Sequence, residues 1–80
     1  MDRKELLTKI NEVFVDVLDD DQLQIAENTS AQDVDEWDSL NHIHLVVAIE
    51  KSLKLRFTAG EIQSWANVGE MMDNILKKVG

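Results

Sequence analysis

This sequence predicts an all-α fold: a small four-helix bundle of three longer helices and one short third helix. Three observations carry that reading. Apolar residues recur every three or four positions in three separate stretches. Proline is absent and only 3 glycines occur, so few positions force a turn. Between the first and second helical stretches, residues 21–38 hold no sustained period and read as a long loop, an uncommon feature that is often functional. With 80 residues the chain makes one domain, residues 1–80. A domain of this size buries roughly 60% of its unfolded surface, leaving little volume for an enclosed active site.

The first helix follows from Leu6, Leu7, Ile10, Val13, Phe14, Val17 and Leu18, which fall on one stripe. Asp19-Asp20-Asp21 ends it, because carboxylates oppose the negative end of a helix dipole. A second helix starts at Asp38 or Ser39 and runs to about Leu53. Thr58-Ala59-Gly60-Glu61 fits a capping box and opens the short third helix. The last helix begins after Asn67 as N-cap, with Glu70 three residues on. Val68, Met71, Met72, Ile75, Leu76 and Val79 give its apolar stripe, and Lys77-Lys78 suit its C-terminal dipole.

Charge narrows the function classes. The formal net charge is −8, and no Lys or Arg occurs from Ile10 through Glu50. Such a field repels nucleic acid and anionic lipid and attracts basic protein surfaces, although acids also simply keep a small domain soluble. The sequence has no cysteine, hence no disulfide, thiolate nucleophile or cysteine metal site. That fits a reducing cytoplasm. Met1-Asp2-Arg3-Lys4-Glu5 leads into an amphipathic segment, so neither a signal peptide nor a membrane span is expected. Asp19-Asp20-Asp21 lacks the central glycine and later glutamate of a calcium loop. His42 and His44, two apart on a helix, do not face one another and have no third ligand.

The second helix carries two apolar faces where a surface helix needs one. Leu45, Val46, Ile49 and Leu53 cluster on one side, and Leu40, Ile43 and Val47 on another. The extra stripe either packs against the long loop or short helix, or awaits a partner. His42 projects toward the core face and His44 toward the Leu40 stripe. Trp37 stands just before the helix, where it is a hydrophobic staple or a partner contact.

Asp38-Ser39-Leu40, at the junction of an acidic loop and an apolar helix, resembles the modification site of acyl and peptidyl carrier proteins. The tripeptide alone is a common helix cap, to which a serine contributes about 1 kcal/mol. The likeness, however, continues through Leu40, Ile43, Val46, Val47, Ala48, Ile49 and Glu50, then Leu53, Phe57, Glu61 and Val68-Gly69, covering nearly the whole chain.

The resemblance implies an acyl carrier protein that holds acyl intermediates as thioesters on a phosphopantetheine arm attached to Ser39. A phosphopantetheinyl transferase would join the serine to the arm of coenzyme A through a phosphodiester, with Asp38 supporting its magnesium ion. Acyl-loading and acyl-transferring enzymes of fatty acid, lipid or polyketide biosynthesis would be the further partners. Leu40, Ile43, His44, Val47, Glu50 and Trp37 are the candidate partner contacts, and a monomer is the natural state. The interior near Ile43, Val46, Val47, Ala48 and Ile62 would shelter an acyl chain; by sequence these are core candidates.

Fatty-acid carriers keep the exposed face of the second helix acidic, whereas here Asn41, His44, Lys51 and Ser52 stand there and only Glu50 retains its carboxylate. A specialised carrier with its own partners fits better. Two rivals remain: a peptidyl or aminoacyl carrier, and a helical docking module with Ser39 unmodified. An enzyme is not expected, since no general base or G-x-S-x-G elbow accompanies Ser39.

Overall fold

A computed structural model describes residues 2–79, with side chains through Lys78, so Met1 and the side chain of Val79 lie outside the described residues. The helices are α1 (Arg3–Leu18), α2 (Ser39–Leu53), α3 (Ala59–Ser64) and α4 (Val68–Val79). In α1 the spacing i, i+4 places Leu6, Ile10, Phe14 and Leu18 in the core, flanked by half-buried Leu7, Val13 and Val17. Asp2 caps its start by accepting the Glu5 amide at 2.7 Å. At its end Asp19 turns left-handed (φ 53°), and its N–H reaches the Val15 carbonyl. The acidic run thus terminates the helix as expected.

Leu45, Val46 and Ile49 of α2, and Val68, Met71, Met72 and Ile75 of α4, complete the helical part of the core. α1 packs chiefly on α2 and also meets α4. The loop from residue 21 to 38 is not a bare connection. It is a series of turns that inserts Ile25, Val34 and Trp37 into the same core. Its backbone is paired as well: Asn11 Oδ1 accepts the Ile25 N–H at 2.8 Å. The loop carbonyls of Thr29 and Glu27 accept the Val68 and Gly69 amides of α4 at 2.9 and 2.6 Å. Those amides have no partner inside the helix, so the loop supplies one. Arg3 adds ion pairs to Glu27 and Asp73, joining α1, the loop and α4, and lowering the Glu27 carboxyl below its usual range through the hydrogen bond.

Gly69 is required by close approach. A Cβ there would stand 2.9 Å from the Glu27 carbonyl oxygen and 3.3 Å from Asn67 Oδ1. Alanine would normally favour a helix by about 0.8–1 kcal/mol, but here backbone must move and the 2.6 Å hydrogen bond lengthens. We expect Gly69→Ala to lower stability by about 1–3 kcal/mol, read from urea unfolding. A stabilised variant would show that the loop yields freely.

The short α3 stands on its capping box, with Glu61 Oε1 accepting the Thr58 amide at 2.8 Å and Thr58 Oγ1 accepting the Glu61 amide at 3.2 Å. Asn74 Nδ2 and Lys78 Nζ of α4 also reach Glu61, at 2.9 and 3.0 Å. The Thr58 amide first, then Asn74 and Lys78, hold the Glu61 carboxyl down at about 2, from 4.5. Because its folded value is depressed, its contribution is complete above pH 4.5 and is lost as pH falls toward 2. Wild type should therefore melt above Glu61→Gln at pH 6, and the gap should shrink steadily below pH 4.5 as pH falls toward 2. A gap that stays constant would deny the carboxylate this role.

Candidate functional site

The site is built where the loop enters α2. Asp38 is extended and accepts the Asn41 amide at 2.8 Å, so the cap is Asp38 itself and Ser39 is the first helical residue. Of the two starts that the sequence allows, Asp38 or Ser39, the helix takes Ser39, and Asp38 stands before it as the cap. Asn41 Nδ2 donates to the Glu36 carbonyl at 2.7 Å and fixes the preceding turn. Ser39 is consequently exposed at the helix start and lines the edge of a groove.

Trp37 anchors this junction from beneath. It is only 6% exposed, packs edge-on against Phe14 at 4.9 Å, and donates its indole N–H to His42 Nδ1 at 2.9 Å. Trp37 and His42 occupy the two positions of a helix-start staple, and their rings stack at 6.1 Å. The staple reading describes the residue, while burial removes Trp37 from the surface contacts. Since Nδ1 accepts, the His42 hydrogen sits on Nε2, which faces the Ile62 carbonyl at 3.4 Å. His42 thereby links the loop, α2 and α3.

Beside Ser39, between the loop, α2 and α3, lies an open groove of about 670 Å³ whose walls include Trp37, His42, Ile43, Ala59, Ile62 and Trp65. Of the sequence candidates for a lipid-sheltering interior, only Val46 is buried; Ala48 and Ile62 are half-buried, and Ile43 and Val47 face solvent. The correction has a simple geometric cause. Ile43 and Val47 share the Leu40 stripe, which neither the loop nor α3 covers.

Leu40, Ile43, Val47 and His44 thus form an exposed face continuing from Ser39. Glu50 is half-buried, and its carboxylate accepts the Phe57 amide at 2.8 Å, so it also serves the α2–α3 connection. Trp65 was missed in the sequence. It sits at the end of α3 and meets His42 and Phe57 edge-on, at 6.0 and 4.8 Å. An isolated tryptophan outside any periodic stretch carried no signal of its facing. Among the described residues no three His, Cys, Asp or Glu side chains gather as a metal cage.

At the start of α2 the free amides favour a nearby anion by about 0.3–1 kcal/mol, which suits a phosphodiester on the Ser39 oxygen. Asp35, Glu36 and Asp38, all exposed, oppose it by a comparable amount. The residues therefore fit an attached phosphate that is tolerated but not clamped.

No family model matches the chain. An acyl carrier protein of Rubrobacter xylanophilus is 29% identical over 77 residues, covering 96% of this chain and 95% of that one. An acyl carrier protein of Saccharopolyspora erythraea is 30% identical over 79 residues, covering 99% and 83%. The solution structure of a holo acyl carrier protein from Geobacter metallireducens superposes with a TM-score of 0.85 at 41% identity, over 91% of this chain and 84% of that one. With 30% identity over nearly its whole length and the same helical fold as a holo carrier, the chain belongs to the acyl carrier protein family.

Proposed function

We propose that this chain carries acyl groups as thioesters on a phosphopantetheine arm attached to Ser39 and passes them between enzymes. The observation that carries the assignment of the serine is its position: exposed, first in α2, immediately after the capping Asp38 and at the edge of the groove. When attached, the arm supplies the thiol that a cysteine-free chain lacks. The chain's own residues do the rest. Asp38 holds the helix start rigid, the balanced charges around Ser39 leave the phosphate free to swing, and the neighbouring apolar face is open to partner surfaces. Chemistry belongs to those partners; the chain itself is a carrier, not a catalyst.

The partners in this reading are a phosphopantetheinyl transferase and acyl-loading and acyl-transferring enzymes of fatty acid, lipid or polyketide biosynthesis. We place the chain in the cytoplasm, as a monomer, where coenzyme A is the arm's donor. No helix among the described residues is long and apolar enough to cross a membrane. The groove of about 670 Å³ offers Ile43 and Ile62 as apolar walls to cargo near the arm.

The test is direct. The purified chain, given coenzyme A, magnesium and a phosphopantetheinyl transferase, should gain the mass of one phosphopantetheine. Failure with both a broad-specificity transferase and that of the native host would overturn the reading and leave a docking module.

A further inference from the structure

The exposed stripe of α2 has charges of opposite sign at its two ends. Leu40, Ile43 and Val47 are 67%, 52% and 42% exposed. At the Ser39 end stand Asp35, Glu36 and Asp38, all at the surface. At the other end stand Lys51, Lys54 and Arg56, also at the surface, and none of them forms an ion pair among the described residues.

Local structure explains this basic end. Lys54 adopts a left-handed conformation (φ 57°) that stops α2, and its N–H returns to the Glu50 carbonyl. The turn brings Arg56 beside Val47 and Lys51 around a shallow groove of about 500 Å³. Glu50, the carboxylate lining that groove, is engaged by the Phe57 amide at 2.8 Å. A ridge of three cations thus borders the apolar stripe in a chain of net charge −8.

Resting on the carrier reading above, we infer that the enzyme loading this carrier presents carboxylates to Lys51, Lys54 and Arg56. These would lie about 20 Å from its active-site mouth, given 1.5 Å per residue along α2. Between them an apolar trough takes Leu40, Ile43 and Val47, and a basic group near the mouth meets Asp35 and Glu36. A uniformly basic docking face would set like charges against the ridge, so the same feature rejects partners built for an all-acidic helix. A second copy of the chain, laid antiparallel, would also match the charges, but it would cover Ser39.

The test uses the holo chain, with an extract of the native host as the source of loading enzyme and acyl donors, and the initial rate of thioester formation read by intact mass. Lys51→Glu/Arg56→Glu is expected to slow loading about tenfold or more. Lys4→Glu/Lys77→Glu makes the same change in net charge elsewhere and should stay within about twofold. Lys51→Ala/Arg56→Ala, which introduces no repulsion, should fall between them, and melting of each variant separates lost docking from lost fold. Loading of both ridge variants at the wild-type rate, an equal loss in the distant pair, or a dimer dispersed by Lys51→Glu/Arg56→Glu would each overturn the inference. A chain that accepts no arm fails earlier, at the mass measurement, and overturns the carrier reading instead.

Discussion

Ser39→Ala should abolish arm addition completely while leaving the fold intact. The expectation of complete loss rests on chemistry: the arm needs one hydroxyl oxygen, and alanine has none. The intact fold is an expectation from structure. The hydrogen bond that starts α2 comes from Asp38, which accepts the Asn41 amide at 2.8 Å. Ser39 is exposed at the first helical position, where alanine is as good a helix former or better by a few tenths of a kcal/mol. Melting within about 2 °C of wild type, beside an unchanged mass after incubation with transferase and coenzyme A, is the expected pair of results. A mass gain in the variant would place the arm on another residue. A large fall in melting temperature would mean that Ser39 has a packing role, and the lost modification would no longer identify the attachment point.

Phe14→Ala should be the most damaging single truncation and should disturb the site from a distance. Phe14 has no exposed surface and is among the largest fully buried side chains of the core. Truncation of a buried phenylalanine costs about 3–5 kcal/mol, as lost transfer energy plus the cavity left behind. An 80-residue domain has roughly 4–12 kcal/mol in total, so a large part of its stability would go. Phe14 also supports Trp37 edge-on at 4.9 Å, and Trp37 in turn holds His42 through its indole N–H. Melting should fall by more than about 10 °C, with tryptophan emission shifting to the red as Trp37 gains solvent. Phe14→Leu, which retains most of the volume, should lose less and keep the emission closer to wild type. Unchanged emission together with a small thermal shift would mean that the junction before α2 is held by the loop alone.

The helices were legible in the sequence because each is specified by signals within a few residues of itself. Asp38, Thr58 and Asn67, each placed by the sequence at a helix start, accept the amide three residues on, and Asp2 does the same for α1. The stripe of α1, and that of α4 from Val68 to Leu76, lie against the core, as their period requires. The long loop was read correctly as a loop, but its packing was not. Ile25 and Val34 have no regular neighbours in sequence, and both are buried only because turns fold the loop over α1 and α4.

The same division holds at the site. Ser39 stood out in the sequence because an acid, a serine and an apolar residue meet where a loop becomes a helix, in a small acidic chain with no cysteine. Which of the two apolar faces of α2 would be covered could not be read from period alone, since both satisfy the helical repeat. Packing against α1 decided it, burying Leu45 and Ile49 and leaving Leu40, Ile43 and Val47 in solvent. Tertiary structure also turned Trp37 inward, joined it to His42, and brought Trp65 from the far end of α3 to the same groove. Local chemistry determined where the helices begin and which serine they present. Contacts between residues distant in sequence determined which side chains surround that serine, because a core is filled by whatever geometry brings together.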